Sequence, residues 1–223
     1  MSASFTTSGT TGQPKRFTVD PAQRAADIAR IRPPGWAELM SLYNDFGAHG
    51  PGVDRDTKWM ADKGGKLFRP LATWEATVAQ FTANNIEAIF APPLFLLKLA
   101  GAVKGYAPKI MVASGSLLTP DVSKAIRAGL GDNLWCNYSV SEVGTLTGAT
   151  WQQAESALGC VGMAYPGNEI SIVDGEIQAR TPIMIHAYAD PKLTAARFTA
   201  DGWFRTGDKG HMDGDLLFYE GRL

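Results

Sequence analysis

The sequence predicts an α/β protein with a mostly parallel sheet flanked by helices and a small β-rich subdomain at its C-terminal end. Helix and strand patterns alternate from residue 20 to about residue 140, which is typical of parallel β-α-β units. After about residue 159 the helix patterns fade and short strands follow one another. We therefore expect an α/β core over residues 1–158 and a β-rich subdomain over residues 159–223.

Helix-start signals recur through the first 130 residues. Capping residues or prolines predict helices beginning at Pro21, Trp36, Trp74, Pro93 and Pro120. We expect the first to run through Ile31 and the second to cover residues 36–42. Glycines end the last of them at about residue 130.

Apolar runs between these helices predict strands at residues 86–91, 109–113 and 134–138. Ligands bind beyond the carboxyl ends of parallel strands, so residues 114–116 and 138–142 are candidate binding loops. Ordinary connecting turns are the alternative for both. Later strands are predicted at residues 169–173, 176–180 and 216–219, with hairpin turns at Asp-Gly pairs.

Composition and charge narrow the class of protein. The 223 residues include 21 basic and 22 acidic side chains, a balance that does not favour nucleic-acid binding. Two cysteines, Cys136 and Cys160, are too few for a disulfide scaffold. No apolar run reaches the length of a membrane span, and the first residues lack a signal-peptide pattern. We expect a cytoplasmic protein.

The most informative motif is Thr-Ser-Gly-Thr-Thr-Gly-Gln-Pro-Lys at residues 7–15. Glycines let backbone N–H groups approach an anion, hydroxyls donate further hydrogen bonds, and Lys15 adds a charge suited to phosphate. Strand-like residues flank the motif, which predicts a phosphate-binding loop between two short strands. Its spacing is not that of a Walker A motif. An unstructured Ser/Thr/Gly-rich segment is the alternative.

Four segments in this order resemble motifs of the adenylate-forming acyl/aryl-CoA synthetase superfamily. They are residues 7–15, Tyr-Ser-Val-Ser-Glu at 138–142, Gly-Trp-Phe-Arg-Thr-Gly-Asp at 202–208 and Gly-Arg at 221–222. The second departs from the family's usual Tyr-Gly-x-Thr-Glu, because Ser139 replaces glycine and Ser141 replaces threonine. The first substitution is expected to narrow the neighbouring pocket.

The resemblance implies roles for the matching residues. Those expected to hold the outer phosphates of ATP are Thr7, Ser8, Gly9, Thr10, Thr11, Gly12 and Lys15. Those expected around the adenosine are Ser114, Gly115, Ser116, Asn137, Tyr138, Ser139, Ser141, Asp208 and Arg222. Glu142 would bind Mg²⁺, and Lys15 and Glu142 are the candidate catalytic residues. A core aromatic, a helix-start carboxylate and a turn residue are the alternatives for Tyr138, Glu142 and Asp208.

The resemblance also implies a function, the AMP-forming adenylation of a small carboxylic acid by ATP, with Mg²⁺ and with coenzyme A as acceptor. Family members normally exceed twice this length and carry a mobile domain with a catalytic lysine. We therefore expect weak adenylation by this chain alone, or a partner chain that supplies that domain. Uncovered sheet edges would favour a homodimer. A binding module for ATP, AMP or acyl-adenylate is the alternative, as is one subunit of a split ligase. His49 is a loose candidate near the acyl carboxylate; a histidine in a solvent loop is the favoured alternative.

Overall fold

The computed structural model describes residues 3–7, 15–46 and 51–223. Strands β1 (Ala3–Thr7) and β2 (Lys15–Val19) pair antiparallel, with Phe5 opposite Phe17. This confirms the two short strands predicted on either side of the phosphate loop. The loop residues 8–14 lie outside the described residues.

The other strands form one mixed sheet. In chain order they are β3 (Ser41–Asn44), β4 (Lys66–Phe68), β5 (Ala88–Ala91), β6 (Ile110–Ala113), β7 (Leu134–Val140), β8 (Gly144–Thr150), β9 (Cys160–Ala164), β10 (Glu169–Val173), β11 (Glu176–Arg180), β12 (Phe204–Asp213) and β13 (Leu216–Arg222). Their spatial order is β10-β11-β12-β13-β9-β8-β7-β6-β5-β3-β4. Neighbours are parallel from β4 to β7 and antiparallel from β7 to β10. The predicted α/β class is confirmed, and its parallel strands occupy one half of the sheet.

Helices connect the parallel strands and flank the sheet. They are α1 (Pro21–Ala26), α2 (Pro51–Asp62), α3 (Trp74–Asn84), α4 (Pro93–Ala102), α5 (Pro120–Leu130), α6 (Trp151–Ser156) and α7 (Pro191–Arg197). The Thr73 and Thr119 hydroxyls accept backbone N–H groups at the starts of α3 and α5, as expected of N-caps. Within the described ranges, no helix is long and apolar enough to cross a membrane.

Successive residues of the central strands face opposite cores. Ile89 and Met111 enter the larger hydrophobic cluster, whereas Phe90 and Val112 enter the smaller one on the other face. Side chains alternate across a strand, and helices cover both faces of a parallel sheet. Because β5 and β6 are buried on both faces, each is a continuous apolar run, and both strands could be predicted from the sequence.

Two helix predictions differ from the structure. The α1 helix ends at Ala26 rather than at Ile31. The helix predicted over residues 36–42 is absent: a 3₁₀ turn covers Trp36–Glu38, and strand β3 begins at Ser41. Leu42 and Tyr43 are fully buried in the sheet, so packing against neighbouring strands decides the conformation there. Strand β8 is not predicted either, because its Gly- and Thr-rich segment lacks an apolar run.

The sheet continues across the predicted domain boundary. Strand β8 pairs antiparallel with β9, with Gly148 opposite Met163. Residues 159–223 contain five strands and the short helix α7, so this part of the chain is rich in strands. The division into residues 1–158 and 159–223 as separate domains stays a prediction.

Candidate active site

The candidate loops beyond β6 and β7 lie side by side. The Ser114 hydroxyl donates to the Asn137 carbonyl oxygen at 3.1 Å and lies 3.4 Å from the Ser139 hydroxyl. The Ser139 hydroxyl in turn lies 3.2 Å from the hydroxyl of Thr145 on β8. The carboxyl ends of these two parallel strands therefore form one polar edge, as the rule for ligand sites in such sheets requires.

An open cavity of about 190 Å³ lies at this edge, and we call it the tyrosine cavity after Tyr138 and Tyr219 in its wall. The two rings are 5.9 Å apart between centroids. Seven residues singled out from the sequence line it, namely Gly115, Ser116, Asn137, Tyr138, Ser139, Asp208 and Arg222. The cavity thus brings together residues from four separate segments of the chain.

Asp208 is the buried acid of this cavity, at 3% exposure. Its Oδ2 accepts a hydrogen bond from the Tyr138 hydroxyl at 2.6 Å. Its Oδ1 lies 3.0 Å from Arg222 Nη1, but no aligned hydrogen-bond donor to Oδ1 is found among the described residues. Asp208 therefore retains acceptor capacity at the cavity wall.

Sheet register and local hydrogen bonds hold the acid in place. Asp208 on β12 is directly opposite Arg222 on β13, and its N–H donates to the Thr206 hydroxyl at 3.0 Å. Burial raises the pKa of Asp208, while the hydrogen bond from Tyr138 and the charge of Arg222 oppose that rise. The net upward shift means that the protein holds this carboxylate at an energetic cost.

Glu142 lies buried just past the end of β7, and the Tyr188 hydroxyl donates to its Oε1 at 2.6 Å. Tyr188 forms a β-bridge with Phe17, and the Ala189 N–H donates to the Arg16 carbonyl oxygen at 2.9 Å. These contacts fix strand β2, which begins at Lys15, beside Glu142. The hairpin that carries the predicted phosphate loop is thereby attached to the candidate metal ligand.

Lys15 lies within electrostatic range of this group. Burial lowers the pKa of Lys15, the positive charge of Arg197 acts in the same direction, and the negative charge of Glu142 opposes both. Lys15 and Glu142, predicted as the catalytic pair, therefore share one electrostatic environment.

A second open cavity, of about 210 Å³, adjoins the first. We call it the arginine cavity, because Arg24 and Arg55 line it. Phe46, Val53, Phe90 and Val140 supply apolar walls, and Ser114, Gly115, Ser139, Ser141, Gly144 and Thr145 complete the lining. Gly115 and Ser139 line both cavities, so they form the partition between them.

Gly115 has a backbone conformation that suits only glycine at this partition. Its φ is +82°, and a Cβ atom would lie 2.7 Å from Phe46 Cε1. Such a contact is too short for a real side chain, and positive φ is strained for any residue with a Cβ. The predicted binding loop therefore depends on this glycine for its path.

The structure places most, but not all, of the residues predicted from the sequence. Thr7 ends strand β1, and Ser8, Gly9, Thr10, Thr11 and Gly12, together with His49, lie outside the described residues. Ser114 and Ser141, both predicted to lie around the adenosine, line the arginine cavity rather than the tyrosine cavity.

The sequence analysis missed the cavity residues Arg24, Arg55 and Tyr219, and also Tyr188. Tyr219 ends a predicted strand, so alternation along that strand is a signal that could have found it. Tyr188 and Arg55 belong to segments for which the sequence predicts no element.

The described fold is that of the N-terminal domain of an adenylate-forming enzyme. A solved malonyl-CoA ligase, a ternary product complex with methylmalonyl-CoA and AMP bound, superimposes with a TM-score of 0.80 at 25% identity. The match covers 99% of this chain and 52% of that chain.

In sequence the chain is related to CoA ligases. It is 30% identical over 131 residues to a probable CoA ligase of Humulus lupulus, covering 53% of this chain and 21% of the relative. It is 31% identical over 117 residues to the 2-succinylbenzoate–CoA ligase of Salmonella typhimurium, covering 52% of this chain and 24% of the relative. No family model matches the chain.

These similarities confirm the resemblance to adenylate-forming acyl-CoA ligases that the motifs predicted. The chain spans about half the length of the solved structure. The alignments to the two curated relatives cover less than a quarter of each.

Proposed function

We propose that the chain binds ATP and activates a small carboxylic acid as its acyl-adenylate, as the nucleotide-binding part of an AMP-forming CoA ligase. The observation that carries this proposal is the pairing of Tyr138 with the buried Asp208 in one cavity. An aromatic ring offers a face for a purine, and a carboxylate with spare acceptor capacity suits the hydroxyls of a ribose.

The adenosine half of ATP would occupy the tyrosine cavity. Its base would lie against Tyr138, with the residues 114–116 loop along its edge. The ribose hydroxyls would donate to Asp208, whose Oδ1 has no aligned donor among the described residues. Asn137, Ser139 and Arg222 also line this cavity and would hold the nucleoside from its other sides.

The phosphates would extend toward Lys15 and Glu142. Lys15 begins β2, and Tyr188 connects that strand to Glu142. The residues proposed to complete this phosphate site are Thr7, Ser8, Gly9, Thr10, Thr11 and Gly12. A lysine near phosphates contributes point charge and hydrogen bonds.

Glu142 fits the magnesium ion that ATP chemistry employs, because Mg²⁺ is commonly held by one or two carboxylates together with substrate phosphates. When bound, the ion would neutralise charge on the phosphate oxygens. Tyr188 orients the Glu142 carboxylate through its hydroxyl. Among the described residues, no three His, Cys, Asp or Glu side chains cluster as a metal site.

In the proposed reaction a carboxylate oxygen of the acid attacks the α-phosphorus of ATP. A P–O bond forms, the bond to the β-phosphate bridge breaks, and pyrophosphate leaves with its charge. Lys15 would stabilise the charge that develops on the phosphates. Coenzyme A is the proposed acceptor of the acyl group.

Fast turnover is proposed to need the lysine-bearing domain, supplied by a partner chain or another polypeptide segment. A homodimer is a separate part of this proposal. A cytoplasmic location belongs to the same proposal. The alternative is a binding module that holds ATP, AMP or an acyl-adenylate without turnover. The similarity to ligases favours the enzyme.

Exchange of radioactive pyrophosphate into ATP, measured with a panel of carboxylic acids, tests the proposal. We expect calorimetric ATP binding together with slow, acid-dependent exchange. Absence of both would contradict the proposal. ATP binding without exchange for any acid would instead identify a binding module.

A further inference from the structure

We propose that the arginine cavity binds a second acidic group of the acyl substrate, so that the acid is a short dicarboxylate. This inference rests on the proposed function, because it names the substrate class of the same site. Three observations support it: the excess of buried positive charge, the unpartnered guanidinium nitrogens, and the size and lining of the cavity.

Buried positive charge exceeds buried negative charge in the cluster formed by Arg24 and Arg55, which line the cavity, and Arg32, which does not. Arg24, Arg32 and Arg55 are each 4% exposed, and the carboxylates that act on them are Asp56 and Glu142. Burial, together with the charge of Arg55, lowers the pKa of Arg24 to about 10 and that of Arg32 to about 9. A buried cluster with a net positive charge is stabilised by a bound anion.

The carboxylate paired with Arg55 already has other hydrogen-bond and ion-pair partners. Asp56 Oδ1 accepts from Arg55 Nε at 2.7 Å and lies 3.9 Å from Arg32 Nη2. Its Oδ2 accepts from the Asn44 amide at 2.7 Å. Asp56 thus already serves two guanidinium groups and an amide.

Each of the two arginines that line the cavity has a buried guanidinium nitrogen without a partner in the described part of the chain. Arg55 Nη2 and Arg24 Nε are buried and have no hydrogen-bond partner among the described residues. The remaining bonds of Arg24 go to the carbonyl oxygens of Ser141, Glu142 and Ile183. A buried charged donor without an acceptor is costly, and a carboxylate that reaches these nitrogens from the cavity would supply the missing acceptor.

The cavity has room for a short acid. Its volume of about 210 Å³ corresponds to about seven groups of the size of a water molecule. Phe46, Val53 and Phe90 would contact a short carbon chain between the ends. One carboxylate would face the tyrosine cavity across Gly115 and Ser139, and the other would accept from Arg55.

Isothermal titration calorimetry on the whole chain tests this inference, with saturating AMP and with four acids as probes. Malonate and succinate are compared with propionate and butyrate, which match them in carbon number. We expect each dicarboxylate to bind at least tenfold more tightly than its matched monocarboxylate, because charge-assisted hydrogen bonds are strong. Arg55→Gln should abolish that preference, and Arg205→Gln, at an exposed arginine, should preserve it.

Three results would overturn the inference. They are equal binding of the matched acids by the unmodified chain, retention of the preference in Arg55→Gln, and equally tight binding of inorganic phosphate. If Arg55→Gln fails to fold, the test rests on how tightly the unmodified chain binds each dicarboxylate relative to its matched monocarboxylate. AMP binding in the same samples reports on the proposed function separately, because AMP does not require Arg55. AMP binding without an acid preference would refute this inference and leave the proposed function standing.

Discussion

The Tyr138 hydroxyl lies 2.6 Å from Asp208 Oδ2, although β13, β9 and β8 separate their strands in the sheet. Four strand spacings of a flat sheet would hold them about 19 Å apart. Register shifts at Tyr138/Ser139, Lys209/Gly210 and Leu217/Phe218 interrupt this part of the sheet, and bulges bend strands and increase their twist. The antiparallel half therefore curls until its Asp208 reaches the carboxyl end of β7.

The cost of burying Asp208 predicts a gain in stability when its charge is removed. Its pKa is raised above the ordinary value of 3.8, so the folded state binds the proton more tightly than the unfolded state. Stability contributed by this group therefore falls as pH rises above 3.8. Asparagine keeps an acceptor for the Tyr138 hydroxyl.

We expect Asp208→Asn to raise the midpoint of thermal unfolding at pH 7, by about 2–4 °C for each 1 kcal/mol recovered. The gain should shrink as pH falls toward 3.8. Asp213→Asn, at an exposed position on the same strand, is the control and should change little. A lower midpoint for Asp208→Asn at pH 7 would show that the ion pair with Arg222 outweighs burial.

Lys15 is expected to contact the outer phosphates of the nucleotide and not its adenosine. Lys15→Ala should weaken ATP binding by about ten- to a hundredfold, the equivalent of about 1.5–3 kcal/mol for a hydrogen bond to a charged group, and should weaken AMP binding much less. Lys124→Ala, at an exposed position on α5, serves as the control. Calorimetric titrations with both nucleotides measure the difference, and equal weakening of ATP and AMP would refute this placement.

The hydroxyl of Tyr188 is expected to orient Glu142. Tyr188→Phe leaves a buried carboxylate without this donor, so the free energy of unfolding should fall by about 1–3 kcal/mol, and Mg²⁺-dependent ATP binding should weaken. Tyr106→Phe is a matched control, because it removes a buried hydroxyl that donates to the Ile86 carbonyl oxygen at 2.6 Å. Denaturant unfolding and ATP titration with and without Mg²⁺ provide the measurements. Similar effects of both variants on Mg²⁺ dependence would argue against an orienting role.

Gly115 is expected to be required at the partition between the cavities. Gly115→Ala adds the strain of a positive φ, about 1–2 kcal/mol, and also drives a Cβ into Phe46. Gly105→Ala is the control, since Gly105 has a φ of +69° but no atom within 4 Å of an added Cβ. Both variants should lower stability in denaturant unfolding, and only Gly115→Ala should also weaken AMP binding. Unchanged AMP affinity in Gly115→Ala would contradict the assigned position.

Local signals in the sequence reveal much of this fold. Apolar runs bounded by capping residues locate β5, β6, α4 and α5, because burial on both faces leaves a clear pattern. Asp-Gly at residues 174–175 marks a hairpin whose two residues both have positive φ, as the favoured two-residue turn requires. Strand β3 is not predicted from the sequence, because its four residues adopt the strand conformation through pairing with neighbouring strands.

The candidate site is only partly visible in the sequence. Tyr138, Asp208 and Arg222 are found because they stand in motifs whose spacing is local. The contact of Tyr188 with Glu142 cannot be found from the sequence, because it depends on a bridge between Tyr188 and Phe17, which are far apart in the chain. The unpartnered nitrogen of Arg55 likewise appears only after α2, β5 and β7 have packed together.

Calorimetric titration of AMP tests most directly whether the tyrosine cavity is a nucleotide site. We expect measurable binding of AMP to the unmodified chain, a loss of at least tenfold in affinity for Asp208→Asn, and no change for Asp213→Asn. Absence of AMP binding by a correctly folded chain would contradict the assignment of the tyrosine cavity as a nucleotide site. An AMP affinity of Asp208→Asn equal to that of the unmodified chain would contradict it as well.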